Sequence, residues 1–231
     1  MISPRAQCMD THVVPFDPIA HSDATCAMIC ASVTRVAATD YPCKEIIRNV
    51  AAQRTTFRKC KELYAACMRT GSDPKQAGVP IVCDTEFFVV LARHTRPTSC
   101  AALSAVSPVA TCNHCSRDAY RCKLERILYR SVHCLSSVAV PGADGSVDLV
   151  VGCAGLTGNR LRKVFVHPDF GRRGIGSLIV QHVEAVALAR GILRVSCDAS
   201  FMAHRVKFYH KLGYVDLPAF AGRQRNGNCC T

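Results

Sequence analysis

Leu161-Arg-Lys-Val-Phe-Val-His-Pro-Asp-Phe-Gly171-Arg172-Arg173-Gly174-Ile175-Gly176-Ser177 is the stretch on which the reading of this chain turns. The apolar and β-branched residues of Leu161 to Val166 predict a strand, and the glycines after them a turn. Leu178, Ile179, Val183, Val186 and Ala187 then recur at helical spacing, which predicts a helix over Ser177–Arg190 with Gly191 as its C-cap. A strand that delivers Gly174 and Gly176 to a helix N-terminus presents backbone N–H groups that have no helical partner, and glycine lets a ligand come close to them. The helix dipole makes phosphate the natural guest.

Two familiar phosphate motifs do not fit these residues. A P-loop needs Gly-Lys-Ser/Thr, and no such lysine follows Gly176. A dinucleotide fingerprint needs Gly-x-Gly-x-x-Gly directly after the strand, whereas here the glycine order is reversed and His167 to Gly171 intervene.

Outward from this stretch, Ser136–Val140 and Val147–Leu156 predict a β-hairpin around Pro141-Gly142-Ala143-Asp144-Gly145. On the other side, Ile192–Cys197 predicts a strand, Met202–Leu212 a helix closed by Gly213, and Tyr214-Val215 the start of a short strand. Residues 221–231 read as a polar tail. Near the beginning, residues 1–12 read as a loose leader and Val13–Phe16 as a strand. Ser22 or Asp23 is placed to cap a helix over Ala24–Ala37, with Met28, Ile29, Val33 and Val36 on one face. A second helix over Cys43–Gln53 follows Tyr41-Pro42, with Ile46, Ile47 and Val50 at helical spacing. Residues 55–132 hold a basic helix-like piece at Phe57–Met68, a turn at Gly71-Ser-Asp-Pro74 and a strand at Glu86–Ala92. A segment of that length between clear elements is expected to be a Cys-rich insertion within a single domain over 13–220.

With 231 residues the chain can bury one sizeable core, and no apolar run approaches a membrane span. Met1–Asp10 lacks the apolar centre of a secretory leader, so a cytoplasmic location is expected. In that compartment the 16 cysteines read as reduced, mostly buried thiols. A formal charge of +12 is compatible with nucleic acid, an acidic membrane surface, an anionic cofactor or simply a solvated basic surface, and charge alone does not choose among them. The scattered lysines and arginines argue against a nucleic-acid tail. Cys112, His114, Cys115 and Cys122, with His133 and Cys134, lack a second clean Cys-x-x-Cys pair, so no metal is expected. Cys229-Cys230-Thr231 does not fit a prenylation end.

Val166-His-Pro168-Asp-Phe-Gly171-Arg-Arg-Gly174-Ile-Gly176 resembles the acetyl-coenzyme A loop of the GCN5-related N-acetyltransferases, Val-x-Pro-x-x-Arg/Gln-x-x-Gly-x-Gly/Ala. Gly171 stands where that loop usually has Arg or Gln. Phe208-Tyr209-His-Lys-Leu-Gly213-Tyr214 is similar to the family's second signature, Phe/Leu-Tyr-x-x-x-Gly-Phe/Tyr. The order of predicted elements over Val13–Gln53 and Ser136–Leu217 also follows the family's.

The resemblance implies an α/β architecture with a mixed, mostly antiparallel sheet flanked by helices. It implies acetyl-coenzyme A as co-substrate and a primary amine, on a small molecule or a protein, as acceptor. Gly171, Arg172, Arg173, Gly174, Ile175, Gly176 and Ser177 would then hold the pyrophosphate, and Val164, Phe165 and Val166 the pantetheine arm. Tyr209 would protonate the departing thiolate. Many relatives place a Glu base in the strand after the loop helix, where this chain has Arg194. Asp198 is the nearest carboxylate and the expected base, with Glu45 or a water chain as alternatives. Met202 and Arg205 stand where the family has small or amide residues, and no seventh strand is evident after Leu217. Two other functions stay open at this point. One is a catalytically weak coenzyme A-binding homologue. The other is a basic, Cys/His-rich module for nucleic acid or protein, against which the scattered charge counts.

Overall fold

The structure is a computed structural model and describes residues 10–36, 41–94, 135–142, 146–199, 203–217 and 228–230. One seven-stranded sheet organises them. Its strands are β1 (Thr11–Pro15), β2 (Glu86–His94), β3 (Ala139–Pro141), β4 (Val147–Thr157), β5 (Arg160–Val166), β6 (Ser196–Ala199) and β7 (Asn228–Cys230). The spatial order is β1-β2-β4-β5-β6-β7, with β3 beside β4. Every pairing is antiparallel except that of β5 with β6. β4 is buried along all but its two end residues, as expected of a central strand covered on both faces.

The covering helices follow from the alternation of side chains along β2. Phe87 points to one face, where its ring lies 6.2 Å from Phe57 and 5.2 Å from Phe16. Phe57 belongs to α2 (Cys43–Thr70), which packs beside α1 (Ser22–Arg35). Phe88 points to the other face, 4.8 Å from His182 of α3 (Ile175–Ala189). A fourth helix, α4 (Ala203–Lys211), follows β6. The core lies on both sides of β2 and β4, with Met28 and Ile29 on one side and Ile179, Val180 and Val183 on the other, all fully buried.

The glycine-turn stretch forms strand, loop and helix as its sequence predicts, and so does the hairpin of β3 and β4. Elsewhere the structure departs from expectation. Residues 55–70 continue α2, since no glycine or proline interrupts it before Gly71, which ends the helix at φ +70°. Residues 86–94 are a central strand of the sheet, so the expected insertion does not begin at 55. The zinc candidates Cys112, His114, Cys115, Cys122, His133 and Cys134 lie outside the described residues. Among the described residues no group of His, Cys, Asp and Glu is arranged to hold a metal.

Neither Ser22 nor Asp23 caps α1. His21 is the N-cap residue, and the Asp17 carboxylate accepts from the N–H groups of Ile19 and Ala20 at 2.7 and 3.0 Å just before it. Ser22 is buried instead, and Asp23 pairs with Lys61. Val36 follows the last turn of α1 and Ile47 faces outward from α2, so both are exposed. Ile192–Val195 do not pair; the strand runs over Ser196–Ala199, and Leu193 is 84% exposed. Tyr214-Val215 form no strand. The tail contributes one, because β7 pairs with β6 at Cys197↔Cys230, Asp198↔Cys229 and Ala199↔Asn228. Its polar composition hid it: three residues at an edge leave no periodicity to read. Among the described residues no helix is long and apolar enough to cross a membrane.

Candidate active site

The parallel pair creates the site. β5 and β6 are joined only at Arg160↔Ser196 and Leu161↔Cys197. Among the described residues no strand pairs with Arg162–Val166 on that side, so the backbone of Val164, Phe165 and Val166 lies at an open edge. On its other side the same segment is fixed to β4 at Gly152↔Val166 and Cys153↔Phe165.

The loop after β5 leads from this edge to the N-terminus of α3. Pro168–Phe170 form a 3-10 turn, and Gly174, at φ +80°, is the N-cap of α3 with no side-chain cap. Space around Gly174 is open: a Cβ placed there meets nothing within 4 Å. Among the described residues no side chain caps the first-turn N–H groups of α3, and Arg172 and Arg173 beside them are exposed cations. Arg173 extends over the Phe170 ring, 5.4 Å from its centroid. This donor set and charge fit a pyrophosphate.

Gly176 serves a different purpose. A Cβ there would lie 3.2 Å from two atoms of the Phe208 ring and 3.7 Å from Val166. The close approach docks α4 on the first turn of α3, and Tyr209 comes with it, its ring 5.0 Å from Phe208 and 5.4 Å from Tyr214. The Tyr209 carbonyl accepts from the N–H groups of Leu212 and Tyr214 at 2.9 and 3.1 Å, which anchors the end of the helix. Burial pushes the Tyr214 hydroxyl well above the usual tyrosine range, with Glu184 beside it adding to the shift.

The expected bases fare differently. Both oxygens of Asp198 accept from Arg160 Nη2 at 2.7 Å, so this carboxylate is engaged by a guanidinium and its geometry lends no support to a role as base. Glu45 is exposed on the first turn of α2. Arg194 is exposed and lies before β6 rather than in it.

Three features escaped the sequence. His167 is buried at 3% exposure, with its ring 5.5 Å from Phe170, and Nδ1 accepts from the Asp169 N–H at 3.3 Å. Burial holds its pKa down to about 4, against the opposing pull of Asp169, so the imidazole is neutral. Arg35, at the end of α1, donates to both carboxylate oxygens of Asp169 at 2.5 and 3.1 Å. Finally, the β4–β5 register shifts between Cys153 and Gly155, and Lys163 sits at that bulge with φ +52°. Its Nζ donates to Gln53 Oε1 of α2 at 3.0 Å. Burial lowers the Lys163 pKa; Cys153 and Cys26 oppose the shift and Arg162 adds to it. No sequence signal marks these contacts, except that a buried His after a strand could have suggested a satisfied ring nitrogen.

Comparison with known proteins places a family signature on this region. Residues 139–216 match the model described as "Acetyltransferase (GNAT) domain". Among solved structures, the PaiA N-acetyltransferase of Thermoplasma acidophilum, in complex with coenzyme A, is 13% identical with a TM-score of 0.49. The match covers 96% of this chain and 98% of that one. A GCN5-related N-acetyltransferase from Rhodopseudomonas palustris is 19% identical with a TM-score of 0.46, covering 97% of each chain. The apo form of YjaB from Escherichia coli is 13% identical with a TM-score of 0.47, covering 96% of this chain and 95% of that one.

Proposed function

Because this chain carries a GNAT acetyltransferase domain in residues 139–216, we propose that it transfers the acetyl group of acetyl-coenzyme A to a primary amine by direct attack in a ternary complex. The observation that carries the reading is the continuity of three parts: the open edge of β5, the loop after it, and the uncapped N-terminus of α3.

Gly171, Gly174, Ile175, Gly176 and Ser177 would hold the pyrophosphate with backbone N–H groups, and Arg172 and Arg173 would add charge. Val164, Phe165 and Val166 would fix the pantetheine arm by backbone pairing at the open edge, where an N–H also polarises the acetyl carbonyl. The thioester supplies the activated acyl group. Tyr209 would give its hydroxyl proton to the leaving sulfur, which keeps the thiolate from attacking the product. Deprotonation of the acceptor is assigned to a water path rather than to Asp198, whose oxygens serve Arg160.

Calorimetric titration with acetyl-coenzyme A followed by thiol-release assays on a panel of amines tests the proposal. Absence of binding at sub-millimolar concentration would refute it. A second reading, coenzyme A binding without turnover, is favoured by the engagement of Asp198. Binding with no thiol release for any amine would select it.

A further inference from the structure

Lys163 is the residue of this region that neither the fold nor the reaction above uses. Three observations set it apart. A lysine in the left-handed region is uncommon and strained, and such strain concentrates at functional sites. The bulge turns two consecutive residues to one face: Arg162 pairs with Gly155, whose Cβ position faces Phe87, the ring that packs on Phe57 of α2, and the Lys163 side chain reaches Gln53 of α2. The side chain is half-buried, yet among the described residues its Nζ donates to the neutral oxygen of Gln53 and joins no ion pair.

A half-buried ammonium without a carboxylate is costly, and the cost falls if the nitrogen gives up its proton. Burial favours that outcome and Arg162 adds to it, while Cys153 and Cys26 oppose it. The groups acting on it are the thiols of Cys26 from α1 and Cys153 from β4, the Gln53 amide from α2, and the guanidinium of Arg162 on its own strand. The Cys153 thiol is itself pushed up to about 12 by burial and so supplies no negative charge. What stands there is an amine with reduced proton affinity, one residue from the backbone assigned above to the thioester, with consecutive Cα atoms about 3.8 Å apart.

We propose that Lys163 is acetylated by the acetyl-coenzyme A bound in its own site. The inference rests on the function proposed above. The neutral Nζ attacks the thioester carbonyl; the C–N bond forms, the C–S bond breaks, and the proton shed by nitrogen ends on the sulfur. The products are Nε-acetyl-lysine and free coenzyme A thiol, with no further reactant. Proximity makes the step intramolecular, so it competes with transfer to an outside amine and runs fastest when none is present. The modified side chain keeps one N–H for Gln53 and loses the capacity for charge.

The test is incubation of the full chain with acetyl-coenzyme A and no acceptor, followed by intact mass and peptide mapping. The expected result is one acetyl group per chain on Lys163, with a first-order rate independent of protein concentration and at least tenfold above that of exposed Lys44 or Lys59. Lys163→Arg should remove that adduct while binding acetyl-coenzyme A as the parent does. Bound acetyl-coenzyme A with Lys163 unmodified, or modified no faster than Lys44, overturns the inference and leaves the acetyltransferase reading intact. Failure to bind acetyl-coenzyme A overturns both.

Discussion

Arg35 and Asp169, 134 residues apart in the chain, are joined by two hydrogen bonds that tie the end of α1 to the turn preceding residues 171–174, the loop proposed above to hold the pyrophosphate. On the proposed function, the arrangement pairs a carboxylate that would otherwise repel the incoming pyrophosphate. Arg35→Ala is expected to weaken coenzyme A binding by about two- to fivefold, the size of a partly exposed ion pair. Asp169→Asn in that background should recover part of the loss, because the stranded charge is removed. Calorimetry on the two variants checks the sign.

Tyr209→Phe keeps the ring contacts with Phe208 and Tyr214 and removes the proton. A drop in kcat of about 100-fold or more is expected for loss of a general acid, with coenzyme A affinity nearly unchanged. Asp198→Asn, by contrast, should leave kcat within about twofold, since a group engaged by Arg160 on the surface contributes little. Thiol-release kinetics on both variants tell the two residues apart.

Stability should depend on pH through His167. Its folded pKa, about 4, lies below the ordinary value of 6.5, so between these values the unfolded chain binds the extra proton. The stabilisation is therefore complete above pH 6.5 and is lost as pH falls from there towards 4. About 2–3 kcal/mol is the order expected for such a shift. Denaturant titrations at pH 7.5 and 5 should differ accordingly, and His167→Gln should flatten the difference.

Two glycines of the loop should respond differently to alanine. Gly174→Ala meets no neighbour but must hold φ +80°, at a cost of about 1–2 kcal/mol. Gly176→Ala has ordinary helical backbone and instead presses on the Phe208 ring 3.2 Å away. Its effect should fall on the docking of α4, lowering kcat more than coenzyme A affinity, whereas Gly174→Ala should lower affinity first. Thermal unfolding together with calorimetry distinguishes them.

Much of this was legible because it is local. Val-x-Pro followed by Gly174 and Gly176 specifies strand, turn and helix within a single segment, and Phe208-Tyr209 lies on a helix closed by Gly213. The parts that escaped depend on partners far along the chain. Glu86–His94 reads in isolation as a short apolar run, and only its pairing with both β1 and β4 makes it central. Nothing near Arg35 announces Asp169, and nothing near Lys163 announces a bulge set by the register with β4. The Asn228–Cys230 strand is defined by β6 rather than by its own composition.

The narrow joining of β5 to β6 also makes the site a ruler. From Val166 back to Arg162 the open edge runs four residue steps, about 13 Å at strand rise. One end lies at the uncapped N-terminus of α3 and the other closes where Leu161 meets Cys197. Under the proposed function, a carrier whose arm matches this length can seat its phosphates at the helix terminus and pair along the whole open edge, and a much shorter arm cannot. On that proposal, selection for the carrier is a matter of length, set by how many strand residues are left unpaired.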